Sequence, residues 1–165
     1  MWLGDRATPV STVFVNLATF LPTGVTVINR IAANDRSDGV KQDAFRATFI
    51  PDAIWGEKSD AARGDNTLVI SRVVKVHLPV TSDGKEYLPY ADFVANGGYT
   101  ASAGDWIIKA EVSEPITADN YRTVIKEYGA LAMTIGSVSD LRRDGISDVG
   151  GIIGRYVNTI YCEGM

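Results

Sequence analysis

Most of the chain alternates short apolar runs, rich in β-branched and aromatic residues, with Gly, Asp, Asn or Pro. Such a pattern is typical of β-strands separated by turns. We predict strands at 26–31, 44–50, 66–78, 105–112, 130–138 and 152–161, with a weaker candidate at 10–18. Six or seven strands of this length favour a closed or nearly closed antiparallel barrel or sandwich.

Polar segments between the apolar runs predict the turns. The segments 34–39 and 82–84 each end in Asp-Gly, a pair that supplies the positive φ angles of tight reversals. The segment 56–66, GEKSDAARGDN, is polar throughout. We expect it to form an exposed loop.

One segment carries a helical pattern instead. Thr117 suits an N-cap, Gly129 suits a helix end, and the apolar positions between them recur at i, i+3, i+4 and i+7. These positions are Tyr121, Val124, Ile125 and Tyr128. A shorter helix is expected at 90–96. The predicted fold class is therefore mainly β: a small antiparallel β-barrel with one short α-helix packed on it.

Composition narrows the possible functions. The 165 residues are 45% hydrophobic and 22% charged, which suits a single globular domain. A formal charge of −4 argues against a protein that coats nucleic acid, since that task needs clustered Lys and Arg. The chain has one cysteine, Cys162, and one histidine, His77, so an internal disulfide and a site with two imidazoles are excluded. We assign no catalytic residue, no metal ligand and no cofactor.

The first residues differ from a secretory signal. They lack a basic start, and no run of 18 apolar residues occurs in the chain. We therefore expect a cytoplasmic product without a membrane span. We divide the chain into an N-terminal extension or arm, 1–22, and a single β-barrel domain, 23–165.

The candidate functional segment is SVSDLRRDGISDVGGIIGRYV, which ends in a predicted strand. Its glycines do not have the spacing of a phosphate-binding loop, and no helix follows them. Arg142 and Arg143 lie among acidic residues that include Asp140 and Asp144, which favours local salt bridges or a protein interface over nucleic acid. Trp55 is a further candidate interface residue, with a core position as the alternative.

Several blocks of the chain occur in an order that resembles a known family. They are TVINRI, AFRATFIPDAIWGE, NTLVISRVV, YLPYADFVA, ASAGDWIIKAEVSEPIT, YRTVIKEYGALAMTIGSVSDLRR and GRYVN. From about Val25 to Asn158, the chain is similar to small minor capsid proteins of tailed phages and prophages, also described as head-to-tail connectors. It departs from that family in about 22 additional residues before TGVTVINRI and in a longer final region without a basic, aromatic-rich ending.

The resemblance implies a structural protein of the virion neck, assembled in the bacterial cytoplasm. Such proteins have a β-barrel and form homo-oligomeric rings, commonly six- or twelve-fold, as head-completion or stopper pieces. The implied partners are further copies of the chain, the portal or adaptor protein, and the tail terminator or tail tube protein. Genome DNA would pass through the channel without sequence-specific binding. A tail terminator or other connector ring subunit is the nearest alternative, and a small-molecule-binding β-barrel is an alternative from another class.

Overall fold

The computed structural model describes residues 22–65, 67–140 and 159–165 of the chain. The strands are β1 (Val25–Ile31), β2 (Ala44–Ile50), β3 (Ile54–Gly64), β4 (Thr67–Pro79), β5 (Thr81–Ser82), β6 (Lys85–Glu86), β7 (Trp106–Ile108), β8 (Ala132–Asp140) and β9 (Thr159–Gly164). The helices are α1 (Tyr90–Asn96) and α2 (Tyr121–Tyr128), with 3₁₀ turns at Ala33–Asp35 and Gly129–Leu131.

Seven strands form one antiparallel sheet in the order β2-β1-β7-β8-β9-β4-β3. The prediction of a mainly β fold is confirmed. The sheet is not a closed barrel, because β2 and β3 are its two ends and do not pair with each other. These two strands follow each other in the chain and are joined by residues 51–53. The sheet therefore has one seam, which this short connection crosses at one end.

The sheet changes direction within β8. Residues 132–134 pair with β7, whereas Ile135 and residues 137–140 pair with β9, and the register shifts between Ile135 and Ser137. Such irregularities bend a strand and increase its twist. Gly164 lies against this point so closely that a Cβ atom there would be 1.9 Å from the carbonyl oxygen of Thr134. The bend thus requires glycine at that position.

A single main core fills the space between the two parts of the bent sheet. Inward side chains of β1 and β2 meet those of β4, β8 and β9. The largest fully buried members are Tyr99, Ile50, Leu78, Ile107, Met133, Ile135 and Ile160. Burial alternates along β4 from Val74 and along the first half of β8, whereas β1 is buried on both faces except at Arg30.

Helix α2 packs on the outer side of the sheet over a second, smaller apolar cluster. Val124 is 2% exposed there, and the ring of Tyr121 stacks on Phe45 with centroids 4.5 Å apart. At its start, the Thr117 N–H donates to Asn120 Oδ1 (2.7 Å) and the Asn120 N–H donates to Thr117 Oγ1 (3.3 Å), which is the reciprocal pattern of a capping box. The predicted cap at Thr117 is thus present, although the α-helix proper begins at Tyr121.

The shorter helix expected at 90–96 is confirmed as α1, so the fold contains two short α-helices. Two other predictions need correction. The segment 56–66 is not a loop, since residues 54–64 form β3 and pair with β4 along their full length. The last strand begins at Thr159 in the described part of the chain and runs to Gly164, three residues beyond the predicted end at 161.

Candidate assembly surfaces

The β3–β4 hairpin extends beyond the rest of the sheet. Strand β9 pairs with β4 only from Val74 to Pro79, so residues 67–73 of β4 are paired with β3 and with no other described strand. The seven residue pairs of this projecting part span about 24 Å at the usual rise per residue. We call residues 58–73 the arm, which is a different part of the chain from the N-terminal extension at 1–22.

The described side chains of the arm are exposed, except those of Arg72 and Val73, which are partly buried. Leu68, near its tip, is 63% exposed. Among the large apolar side chains that the structure describes, only that of the C-terminal Met165 is more exposed. A two-stranded hairpin is marginally stable alone in water. Apart from β3, no described strand pairs with this part of β4, and strand edges of this kind can be recognised by another strand. These properties make the arm the strongest candidate for a contact with another chain.

Polar contacts fix the base of the arm on the body of the protein. Arg72 Nε donates to Glu57 Oε1 at 2.6 Å, and Arg72 Nη2 donates to the carbonyl oxygen of Ala130. The guanidinium is the main cause that lowers the pKa of Glu57. Because this contact joins β4 to the 3₁₀ turn after α2, it orients the arm relative to the sheet.

Trp55 lies just inside this base, in the main core, and is 8% exposed. Its indole N–H lies close enough to Glu57 to contribute to the lowered pKa of that carboxyl, but it has no hydrogen bond of good geometry among the described residues. Lys109 Nζ lies 6.0 Å from the ring centroid. The structure therefore gives Trp55 the core position that the sequence left open, and not an exposed interface position.

Asp105 is the centre of a buried polar network at the other end of the sheet. Its Oδ2 accepts hydrogen bonds from Asn29 Nδ2 (2.8 Å) and the Ser102 N–H (3.1 Å), and its Oδ1 accepts from the Arg30 N–H (3.1 Å). The side chain is 5% exposed, and this burial raises the pKa of Asp105. All these bonds are internal, so the network stabilises the fold.

At the end of β1, side chains accept the backbone N–H groups that a neighbouring strand would otherwise bind. Pairing between β1 and β7 ends at Ile28 and Trp106, and the next N–H on that edge of β1 belongs to Arg30. Asp105 accepts the Arg30 N–H. The hydroxyl oxygen of Tyr90 accepts the next N–H along this edge, that of Ala32, at 3.2 Å. Side chains thus satisfy the backbone where the sheet stops. The carboxylate of Asp105, directly before β7, thus has a structural role.

The single Cys and His of the chain lie on the neighbouring strands β9 and β4. Cys162 is fully buried in β9, and burial raises the pKa of its thiol to about 12. His77 packs on Tyr161 with ring centroids 5.1 Å apart, and burial lowers its pKa. Across residues 22–65, 67–140 and 159–165, no three His, Cys, Asp or Glu side chains are placed to hold a metal ion. In the same residues, no helix has the length and apolar character to cross a membrane.

The other predicted interface residues lie mostly outside the described part. Asp140 is the exposed last residue of β8 and pairs with Ile160 of β9. Arg142, Arg143 and Asp144 are not among the described residues. The two strands that flank them, β8 and β9, are antiparallel neighbours. The interface role of these residues stays a prediction.

The structure adds two features that sequence reasoning missed. The arm was missed because its first strand is polar and has no apolar alternation. Asp105 was missed because acidic residues occur in nearly every loop of the chain. The only local signal for Asp105 is its position between Gly104, which has a φ of +95°, and the first residue of β7.

Comparison with known protein families gives a match. Residues 20–149 match the model of a family of unknown function, DUF6751. No curated protein and no solved structure matches the chain significantly. The matched segment includes β1 to β8 and therefore both features described above, the arm and the Asp105 network. Since it covers well over half of the chain, the protein belongs to the DUF6751 family.

Proposed function

We propose that the protein is a structural subunit that assembles with further copies of itself into a ring in the neck of a tailed phage. The arm is the observation that carries the proposal. It presents an exposed Leu68 and a part of β4 that pairs with no described strand other than β3, and it is held at its base by the contact between Arg72 and Glu57. A projecting strand edge whose base is fixed to the body of the protein suits pairing with a neighbouring subunit.

The phage neck is proposed from the order of the sequence blocks that resemble minor capsid and head-to-tail connector proteins. In that setting, the portal or adaptor protein and the tail terminator or tail tube protein are the further partners. The role is head completion or a stopper, with a tail terminator as the alternative ring position. The net charge of −4 suits a channel through which DNA passes without adhering.

The alternative function, a small-molecule-binding barrel, has less support. The space between the two parts of the sheet holds large side chains, including Tyr99 and Met133, which are at most 1% exposed. The hydroxyl of Tyr99 donates to the carbonyl oxygen of Pro79, which fixes its ring inside the core. A filled interior of this kind favours an assembly subunit over a ligand carrier.

The mass of the protein in solution tests the assembly. We expect light scattering after size-exclusion chromatography to show an oligomer for the wild type. The oligomer of the Leu68→Glu variant should dissociate at a protein concentration at least tenfold higher. Val40→Glu is the matched control, because Val40 is 44% exposed and lies outside the arm. A wild-type protein that is monomeric at every concentration would refute self-assembly. Equal dissociation of both variants would refute the role of the arm.

Electron cryo-microscopy of virions tests the location separately. We expect density for the chain between portal and tail in particles of the phage or prophage that encodes it. Particles that lack the chain, or that carry it elsewhere, would refute the neck assignment and leave self-assembly to be judged by its own experiment.

A further inference from the structure

A small cleft lies where strand β2, helix α1 and the loop between β1 and β2 meet. Its volume is about 170 Å³, which is less than the pocket of a drug-sized ligand and suits a few non-hydrogen atoms. Arg36 of the loop and Arg46 of β2 both line the cleft. Because a guanidinium group binds carboxylates and phosphates through paired N–H groups, two of them at one small cleft point to an anionic ligand.

Arg36 is held in position by its own loop. Its Nε donates to Asp38 Oδ1 at 3.0 Å, and its Nη2 donates to Asp38 Oδ2. Its Nη1 donates to the carbonyl oxygen of Gln42 at 2.9 Å. The side chain is 20% exposed. These bonds use three of the five N–H groups of the guanidinium, so the others remain for an acceptor in the cleft.

Arg46 is held in position by α1. Its Nη1 donates to the carbonyl oxygen of Phe93 at 3.0 Å, and its Cζ lies 4.5 Å from the centroid of the Phe93 ring. The residue is partly buried, yet no carboxylate in the described part of the chain forms a salt bridge with it. A partly buried charge is normally paired, because leaving water costs it free energy. Arg46 therefore has both the N–H groups and the charge to bind an anion.

The charges at the cleft favour a ligand with a single negative charge. Asp38 also lines the cleft and balances the charge of Arg36, so the charge of Arg46 is the one left over. A carboxylate balances it, whereas a doubly charged phosphate adds repulsion with Asp38. The remaining wall is apolar and includes Ile31, Ala44 and Val94. Such side chains can pack against a short aliphatic group.

We propose that this cleft binds a small carboxylate with a short aliphatic stem. The carboxylate accepts N–H groups from Arg36 and Arg46, and the stem packs on the apolar wall. Protein groups already orient both guanidinium groups, so little side-chain entropy is lost on binding. The site lies within one chain and does not require the proposed ring.

Saturation-transfer NMR with butyrate as the probe tests the site, because it observes the ligand and works at any oligomeric state. We expect the full-length protein at pH 7 to bind butyrate at least tenfold more tightly than butyramide, which has the same stem and no charge, at equal ionic strength. Equal binding of the two would overturn the role of the arginines. Inorganic phosphate that displaces butyrate at a lower concentration than butyrate itself requires would overturn the choice of a carboxylate.

A matched pair of variants locates the binding. Arg46→Gln should raise the dissociation constant of butyrate at least tenfold. Arg122→Gln is the control, because Arg122 also lies over an aromatic ring, that of Tyr121, but is far from the cleft in sequence and belongs to α2. Equal effects of the two variants on butyrate binding would overturn the site.

Chemical modification of the wild type gives a second measurement that needs no variant to fold. Phenylglyoxal reacts with arginine side chains, and peptide mass spectrometry reports the rate at each one. We expect butyrate to slow the modification of Arg36 and Arg46 at least threefold relative to butyramide, and to leave that of Arg122 unchanged. Equal rates with butyrate and butyramide at Arg36 and Arg46 would overturn the proposal.

Discussion

Replacement of Asp105 by Asn tests whether the carboxylate substitutes for a strand at the end of the β1–β7 pairing. Asp105 accepts three hydrogen bonds on two oxygens, whereas Asn has one oxygen and an NH₂ group that only donates. In its better orientation, the Asn oxygen keeps the donors Asn29 and Ser102, and its NH₂ group faces the N–H of Arg30. One partly buried donor then loses its acceptor.

The expected cost follows from these contacts. A buried N–H without an acceptor costs about 1–3 kcal/mol, and the two bonds that remain lose the strengthening given by a charged acceptor, about 1 kcal/mol each. Removal of a buried charge offsets part of this loss, because burial disfavours the carboxylate and raises the pKa of Asp105. We expect Asp105→Asn to lower the free energy of unfolding at pH 7 by about 2 kcal/mol, as measured by urea denaturation.

The pH dependence gives the same experiment a second readout. The pKa of Asp105 is raised in the folded state, so its linkage contribution is fully present below the unfolded pKa, about 3.9, and is lost as pH rises through the folded pKa. A protonated carboxyl still has two oxygens that can accept, but Asn does not. The difference in stability between wild type and Asp105→Asn should therefore increase as pH falls from 7 toward 4.5. A variant as stable as wild type at pH 7, or a difference that shrinks on acidification, would refute the account of Asp105.

Three further predictions follow from other parts of the molecule. Gly164→Ala should lower the free energy of unfolding by about 2 kcal/mol or more, because its Cβ would lie 1.9 Å from the carbonyl oxygen of Thr134. The control Gly56→Ala, whose Cβ would have its nearest contact at 3.7 Å, should change the free energy of unfolding far less. Equal effects of the two variants in urea denaturation would contradict this. The thiol of Cys162 should react with an aromatic disulfide at pH 8 only after unfolding, since burial raises its pKa to about 12, and rapid labelling of the folded protein would show that β9 opens. Arg142→Glu combined with Arg143→Glu should leave the unfolding transition unchanged and reduce the joining of heads to tails, and a normal yield of infectious particles would exclude an assembly role for these arginines.

Strands with one face in the core were predictable from the sequence. Val74, Val76 and Leu78 of β4 are fully buried and alternate with the more exposed Lys75 and His77, and Asp83-Gly84 supplies the positive φ angles of the β5–β6 reversal. Strand β3 was not predictable in this way beyond its first residues. Its arm portion is exposed on both faces, so nothing selects apolar side chains there. Its partner β4 determines its conformation, and pairing between strands leaves little signal in one strand alone.

The polar sites depend on contacts between distant parts of the chain. Asp105 is 75 residues from Arg30, whose N–H it accepts, and Arg72 is 58 residues from Ala130, whose carbonyl it binds. Local sequence carries no information about where the β1–β7 pairing stops. The sequence could therefore predict the strands and turns that surround these residues, but not which carboxylate or guanidinium completes them.

The sharing of β4 between the arm and the body determines how the molecule bears mechanical load. The arm continues directly into the part of β4 that six residue pairs join to β9, and β9 in turn pairs with β8. A pull on the arm tip along the strand axis therefore loads these pairs together, in shear, and not one after another. Tension then passes through β8, the strand common to both parts of the sheet, into β7 and β1. A protein built in this way transmits force from its projecting end across the whole sheet before any single strand is released.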